Sequence, residues 1–458
     1  MRQAVLLFLL LVLPACTPTK QIRGRSTAGT LLDLKSLEKS DKGGELRKMV
    51  QGLAVERYPG FTLGIIELGD EGLVKDEIQK QNVFDMVRAK AEGRGAIVIT
   101  FVHGWHHSAD VCDANLSCFR NVLQGISEDP DRLNKGPVIG VYLGWRGDSC
   151  RVEALKGATF YNRKKAAHRI GENAGSKVLL ALSNLVHELD LDLQRKGSPG
   201  FMTMVTAGHS FGGALVFSAV ERALVSGWGG ERLGVGVLAD NSGVKPARSG
   251  LGNLVILVNP AFEAQRYHYF DEDLKLPKTY ARECPILLTV ASKGDDAMGK
   301  AFPLGRLLWI LWHPWRWGHF AAEVTGAGRY YPQMTPELAF GGPPAKAQDN
   351  TESCSCPFPS PEQIDQIRQQ LQAVTIPPED HAPCAALRAA DLASHLPDGI
   401  TLTDRRKSFD KSSPYLVFHA NANLIPGHSD IYNPNFVKFI VAYLRLYLQQ
   451  TPPARPTK

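Results

Sequence analysis

Seven stretches of strand length are apolar from end to end: FTLGIIEL (61–68), GAIVITFVHGW (95–105), PVIGVYLGW (137–145), FMTMVTAG (201–208), NLVILVNPA (253–261), CPILLTVAS (284–292) and YLVFHAN (415–421). A strand with one wet face alternates polar and apolar residues, whereas an unbroken apolar strand needs cover on both faces, as in a parallel sheet between two helical layers. Helical periodicity falls where the crossovers of such a sheet belong. Residues 163–195 carry Ile170, Ala174, Val178, Leu182, Leu185 and Leu189 at three- and four-residue spacing, and residues 212–226 read as a helix closed by Gly227. Asn433 and Pro434 occupy cap and first-turn positions of a last helix. Strand and helix alternate in this way only in the α/β class, with a mostly parallel central sheet and helices on both faces.

A chain of 458 residues with 44% apolar content can bury a large core and has room for one domain with insertions, or two. The pattern assigns residues 59–300 and 413–450 to the sheet domain. The proline-rich stretch 301–412 shows no clear strand and reads as an inserted cap. Residues 227–253 are glycine-rich and read as a long loop, residues 16–58 as a polar tether and residues 451–458 as a tail. The net charge of +6 is spread without a basic stripe, so a nucleic-acid partner is not indicated.

The opening MRQAVLLFLLLVLPAC joins one early positive charge to a ten-residue apolar stretch, Ala4 to Leu13. That is too short for a stable membrane span and fits an export signal over residues 1–15. Leu13-Pro14-Ala15-Cys16 resembles the lipobox of bacterial lipoproteins, which implies lipidation at Cys16, attachment to a membrane and, with Thr17 next, residence in the outer membrane. Exported thiols can oxidise. Cys112, Cys118, Cys354, Cys356 and Cys384 are disulfide candidates, Cys150 and Cys284 border apolar runs, and the odd total after Cys16 leaves at least one thiol over. None shows the paired spacing of a zinc site.

Within the fourth run, Gly208-His209-Ser210-Phe211-Gly212 is a GxSxG pattern between a strand and a helix. Such a turn is too sharp for side chains two positions either side of the serine, and it leaves the hydroxyl at the strand tip. The second run ends in His103-Gly104, the sixth leads into KGDDAMGK, and the last leads into a loop with His428. His103, His106, His107 and Asp110 in HGWHHSAD could alternatively be read as metal ligands, but their spacing matches no helical HExxH pair, and no metal is expected.

Together these motifs resemble the α/β-hydrolase superfamily, over about residues 60–300 and 413–448. The resemblance implies a nucleophile, acid and base in that chain order: Ser210, Asp295 and His428. Asp296 is the immediate rival of Asp295, Glu263 a third option, and His419 the lesser option for the base because it lies inside a strand. The resemblance also implies an oxyanion hole from the backbone N–H groups of Phe211 and Trp105, with Gly104 beside the latter and His103 as a structural histidine. No cofactor is implied.

His103, Gly104 and His209 are grouped with the substrate's surroundings, and so are Trp309 and Trp312 of LLWILWHPWRW (307–317), as core of a cap or as an apolar wall for an acyl chain. The function implied is an exported, lipid-anchored serine hydrolase of small-molecule or lipid carboxylic esters. The alternatives are a thioesterase or amidase with the same triad, and a lipid-anchored binding protein on an inactive scaffold. Replacing Cys16 by Ser is expected to abolish acylation and to move the protein from the membrane to the soluble fraction, as read by fatty-acid labelling and fractionation.

Overall fold

The computed structural model describes residues 21–40, 44–129, 134–148, 159–229, 253–267, 285–310, 320–334, 336–344, 361–372, 392–404 and 415–450, with residues 354, 356, 359 and 387 between them. All seven apolar runs are strands: β2 (Phe61–Glu67), β3 (Ala96–Val102), β4 (Val138–Gly144), β5 (Met202–His209), β6 (Leu254–Val258), β7 (Leu287–Ser292) and β10 (Tyr415–Ala420). Three further strands, β1 (Val55–Arg57), β8 (Pro336–Phe340) and β9 (Ile400–Asp404), complete one ten-stranded sheet in the order β1-β2-β4-β3-β5-β6-β7-β10-β8-β9. Every pairing from β2 to β8 is parallel, and only β1 and β9 run antiparallel, one at each edge. The architecture is α/β with a mostly parallel sheet.

Helices cover both faces. Along β3, Ala96, Val98 and Val102 enter a core shared with α1 (Glu77–Ala91), α3 (Phe160–Ile170), α4 (Ser176–Arg195) and α5 (Phe211–Gly229). Ile97, Ile99 and Phe101 point the other way, into a core shared with α2 (Ala114–Ser127) and the last helix, α7 (Pro434–Gln450). Period-two side-chain direction with two apolar faces is what the unbroken runs required. The 163–195 periodicity forms α3 and α4 joined by a π-turn at Gly171–Gly175. A Cβ on Gly171 would lie 2.4 Å from the Leu215 carbonyl oxygen, so glycine there lets α5 cross closely. As expected, Asn433 caps α7, its side-chain oxygen accepting from the Asn435 and Phe436 N–H groups.

Three expectations need correction. The 301–412 stretch contains two strands of the sheet, because β8 pairs with β10 and carries β9 with it. Their burial is partial and their runs are short, so they lack the unbroken apolar signature. Gly227 does not end its helix, which continues to Gly229. The segment expected as a tether is packed from residue 21 onward: Leu32, Leu37, Val50 and Leu53 join the second core, and β1 extends the sheet. Four of the disulfide candidates do pair, and over long range: Cys112–Cys354 and Cys118–Cys356, spanning 242 and 238 residues. They fasten the start of α2 to the inserted stretch. Cys16, Cys150, Cys284, Cys384 and most of residues 227–253 lie outside the described residues.

The tether expectation failed because its charges are spoken for. Arg23 is buried against the Glu56 carboxylate, which also receives both arms of Arg120, at 2.8 Å each, and the Tyr58 hydroxyl at 2.7 Å. Burial alone would raise the Glu56 pKa, but the two guanidinium groups outweigh it and hold the carboxyl at about 2, down from 4.5. Because the folded-state value is depressed, the stabilisation is complete above the ordinary carboxyl range and is lost as pH falls from 4.5 towards 2. Replacing Glu56 by Gln strands two buried cations and is expected to cost about 3–5 kcal/mol, measured by urea unfolding, with the difference from the parent shrinking at acid pH.

Candidate active site

The C-terminal edge of the parallel strands forms a rim, the place where open α/β sheets bind ligands. β5 lies in the middle of it. The strand ends at His209, α5 begins at Phe211, and Ser210 alone makes the turn with φ of 55°. A non-glycine residue with positive φ is strained. Here it is held by neighbours: the Ser210 N–H donates to Val258 O at 3.1 Å, and its carbonyl accepts from Ala261 and Ala214. The flanking glycines let strand and helix meet, since a Cβ on Gly212 would lie 2.1 Å from Val102 O and one on Gly208 would lie 2.7 Å from Gly212 O. One on Gly104 would lie 2.9 Å from the Ser210 Cβ, so that loop sits directly against the serine.

Three of the expected residues converge on this turn. The Ser210 hydroxyl donates to His428 Nε2 at 2.7 Å, and His428 Nδ1 donates to Asp295 Oδ2 at 2.7 Å. Asp295 lies just beyond β7 and is 1% exposed, with its second carboxylate oxygen accepting from the Met298 N–H at 2.9 Å. Its rivals are elsewhere engaged. Asp296 is exposed and pairs with Lys300 at 2.9 Å. Glu263 is partly buried against Lys164 and Arg306; loss of solvent would raise its pKa, but those cations bring it down to about 2. His419 belongs to β10, as its place in the apolar run suggested.

Phe211 opens α5, so its N–H is among the four that a helix leaves without an internal partner. Among the described residues no hydrogen bond engages the N–H of Phe211 or of Trp105. The Trp105 indole stacks on His106 at 3.9 Å and meets the rings of Phe160 at 5.3 Å and Phe211 at 6.0 Å. Two histidines grouped with the substrate's surroundings are buried and hydrogen-bonded to backbone groups. His103 is fully buried between Tyr142 and Trp145, donates from Nδ1 to Gly104 O at 2.9 Å and accepts the Trp145 N–H at Nε2. Burial drives its pKa to about 4, so it is a neutral structural residue that shapes the Gly104 loop. His209 is 2% exposed and donates from Nε2 to the His428 carbonyl oxygen at 2.8 Å. Burial and the nearby His428 keep it neutral, well below the usual histidine range.

Asn259 was not anticipated. It stands just past β6 with φ of 44°, gives its amide N–H to the same His428 carbonyl at 2.9 Å, and accepts the Ser292 N–H at 2.8 Å. Its signal was an asparagine between an apolar run and a proline, a residue type that tolerates the left-handed region. The histidines of HGWHHSAD disperse: His106 pairs with Asp148, His107 with Asp113 and Asn115, and Asp110 with Arg47. Trp312 and the Trp309 side chain lie outside the described residues.

No protein-family model matches the chain, and no curated protein matches it. Among solved structures, an uncharacterised protein from Pseudomonas aeruginosa is 16% identical over 47% of this chain and 38% of its own, with a TM-score of 0.21. A thermophilic esterase from the planctomycete Thermogutta terrifontis, solved with propionate, is 19% identical over 45% of this chain and 64% of its own, with a TM-score of 0.18. Phospholipase PlaB from Legionella pneumophila, in complex with thio-NAD, is 13% identical over 56% of this chain and 47% of its own, with a TM-score of 0.22. The chain spans less than two thirds of each, and likeness this weak carries no further weight.

Two donors on one carbonyl fix the loop that carries His428. Replacing both His209 and Asn259 by Ala is expected to slow phosphonylation of Ser210 by a fluorophosphonate about 10²-fold, read by stopped-time labelling, because a displacement of about 1 Å suffices for that loss.

Proposed function

We propose that this chain is a serine hydrolase of carboxylic esters on an α/β-hydrolase fold, exported and held to a membrane through Cys16. The observation that carries the reading is the hydrogen-bonded line from Asp295 through His428 to Ser210 at the sheet's rim. A neutral serine is a weak nucleophile, so His428 takes its proton as Oγ attacks the ester carbonyl carbon. Asp295, fixed by the Met298 N–H, orients the ring and stabilises the imidazolium that forms. The oxyanion falls to the N–H groups of Phe211 and Trp105, where one such donor is commonly worth about 3–4 kcal/mol. His428 then returns the proton to the departing alkoxide, and a water molecule, deprotonated by the same ring, releases the acyl group from Ser210.

Two disulfides support export, since such bonds persist in oxidising compartments. No described helix is long and apolar enough to cross a membrane.

A fluorophosphonate probe is expected to label the folded protein and not its Ser210→Ala variant; an intact protein that resists the probe refutes the reading. Asp295→Asn is expected to lower turnover of a short-chain ester on the order of 10⁴-fold, whereas Asp296→Asn leaves it within about twofold, by steady-state kinetics.

A further inference from the structure

The N-terminal segment docks at the edge of the sheet that carries the triad. Ile22 and Arg23 give their backbone N–H groups to the carboxylate of Glu67, the last residue of β2, and Gln21 donates to Asp76, the N-cap of α1. From there the chain runs away from the rim beside β1, with Ser26 bridged to Leu53 and the Leu32 N–H on Arg57 O. Gln21 therefore stands at the C-terminal end of β2, and β4 and β3 alone separate β2 from β5 and Ser210. Three strand spacings amount to about 14 Å. Four residues lie between Cys16 and Gln21, and the five Cα-to-Cα steps they make, fully extended, reach at most about 18 Å.

The same rim carries exposed apolar side chains. Among the described residues, Leu73 is 59%, Ile78 51%, Leu304 62% and Leu307 43% exposed, four of only seven large apolar side chains so exposed. Leu73 belongs to the turn beyond β2 that closes through Leu68 and Val74, and Ile78 lies in the first turn of α1. Leu304 and Leu307 share one face of α6 (Phe302–Ile310). That helix is held at the rim by Arg306 on Glu263 and by Phe302 against Phe160, the residue whose ring also meets Trp105 and Phe211. Apolar side chains of this kind enter the headgroup region of a bilayer, while a single acyl anchor gives only marginal binding and needs a second contact.

From the tether length and this surface we infer that the triad rim faces the bilayer and that the substrate is an acyl ester resident in that bilayer. This rests on the proposed hydrolase and on acylation at Cys16. The rim opposite, where β5 begins after Lys196 and Gly197, faces away from the membrane. The acylated full-length protein would be placed in vesicles of phosphatidylethanolamine and phosphatidylglycerol and given two esters: a soluble p-nitrophenyl butyrate, and a fluorogenic diacyl phospholipid within the same bilayer. It is compared with a variant that combines Leu73→Ser, Leu304→Ser and Leu307→Ser with a flexible insertion of about 15 residues between Thr19 and Lys20, enough to let the rim retreat by tens of Å. The expected result is a loss of about tenfold on the bilayer ester with the soluble ester within about twofold, because effective concentration is lost and chemistry is not. An unchanged ratio between the two esters overturns the inference and leaves the hydrolase reading standing. Cleavage of neither ester by the parent protein overturns both, and a parent protein that cleaves the soluble ester but does not sediment with vesicles overturns the inference alone.

Discussion

The turn at Ser210 is the constraint on which the site depends. A left-handed serine between a buried strand and a buried helix survives only where both neighbours press it into place, and here Val258, Ala261 and Ala214 hold its backbone on two sides. That grip is possible because β6 pairs in register with the end of β5, His209 opposite Val258. The same approach forces glycine at 104, 208 and 212. Sheet register, backbone strain and the aim of one hydroxyl are thus a single mechanical arrangement, and the strain is offset by packing well away from it.

Charge is handled in two opposite ways around this centre. Where a buried or partly buried carboxylate can find cations, it stays ionised: Glu56 between two arginines, Glu263 between Lys164 and Arg306. Where the hydrogen-bond partners are backbone groups, burial keeps the group neutral, as with His103 and His209. A neutral His209 can donate to a carbonyl without placing a second positive charge beside the imidazolium of the proposed reaction.

Much of this was legible in the sequence because the sheet is buried on both sides. Seven unbroken apolar runs declared seven strands, and motif order brought Ser210, Asp295 and His428 to the ends of β5, β7 and β10. What stayed hidden had no periodic signal. β1, β8 and β9 are short edge elements whose pairing, not their composition, makes them strands. The N-terminal segment reads as a polar tether because the partner of Arg23's buried charge, Glu56, lies 33 residues away and is itself held by Arg120, 64 residues further on. Disulfide connectivity could not be read either, since partners separated by 242 and 238 residues leave no local trace. What joins His209 to Asn259 is a shared acceptor, a backbone carbonyl on a distant loop, which is invisible before the chain is folded.

His428 comes 218 residues after Ser210, on the loop that follows the last strand. On the proposed chemistry, a nascent chain that has already displayed its serine still lacks the group that would awaken it. Only when β10 slides in beside β7 and α7 closes over the second core does the imidazole arrive. Synthesis can therefore run almost to the end of the chain with the blade still sheathed.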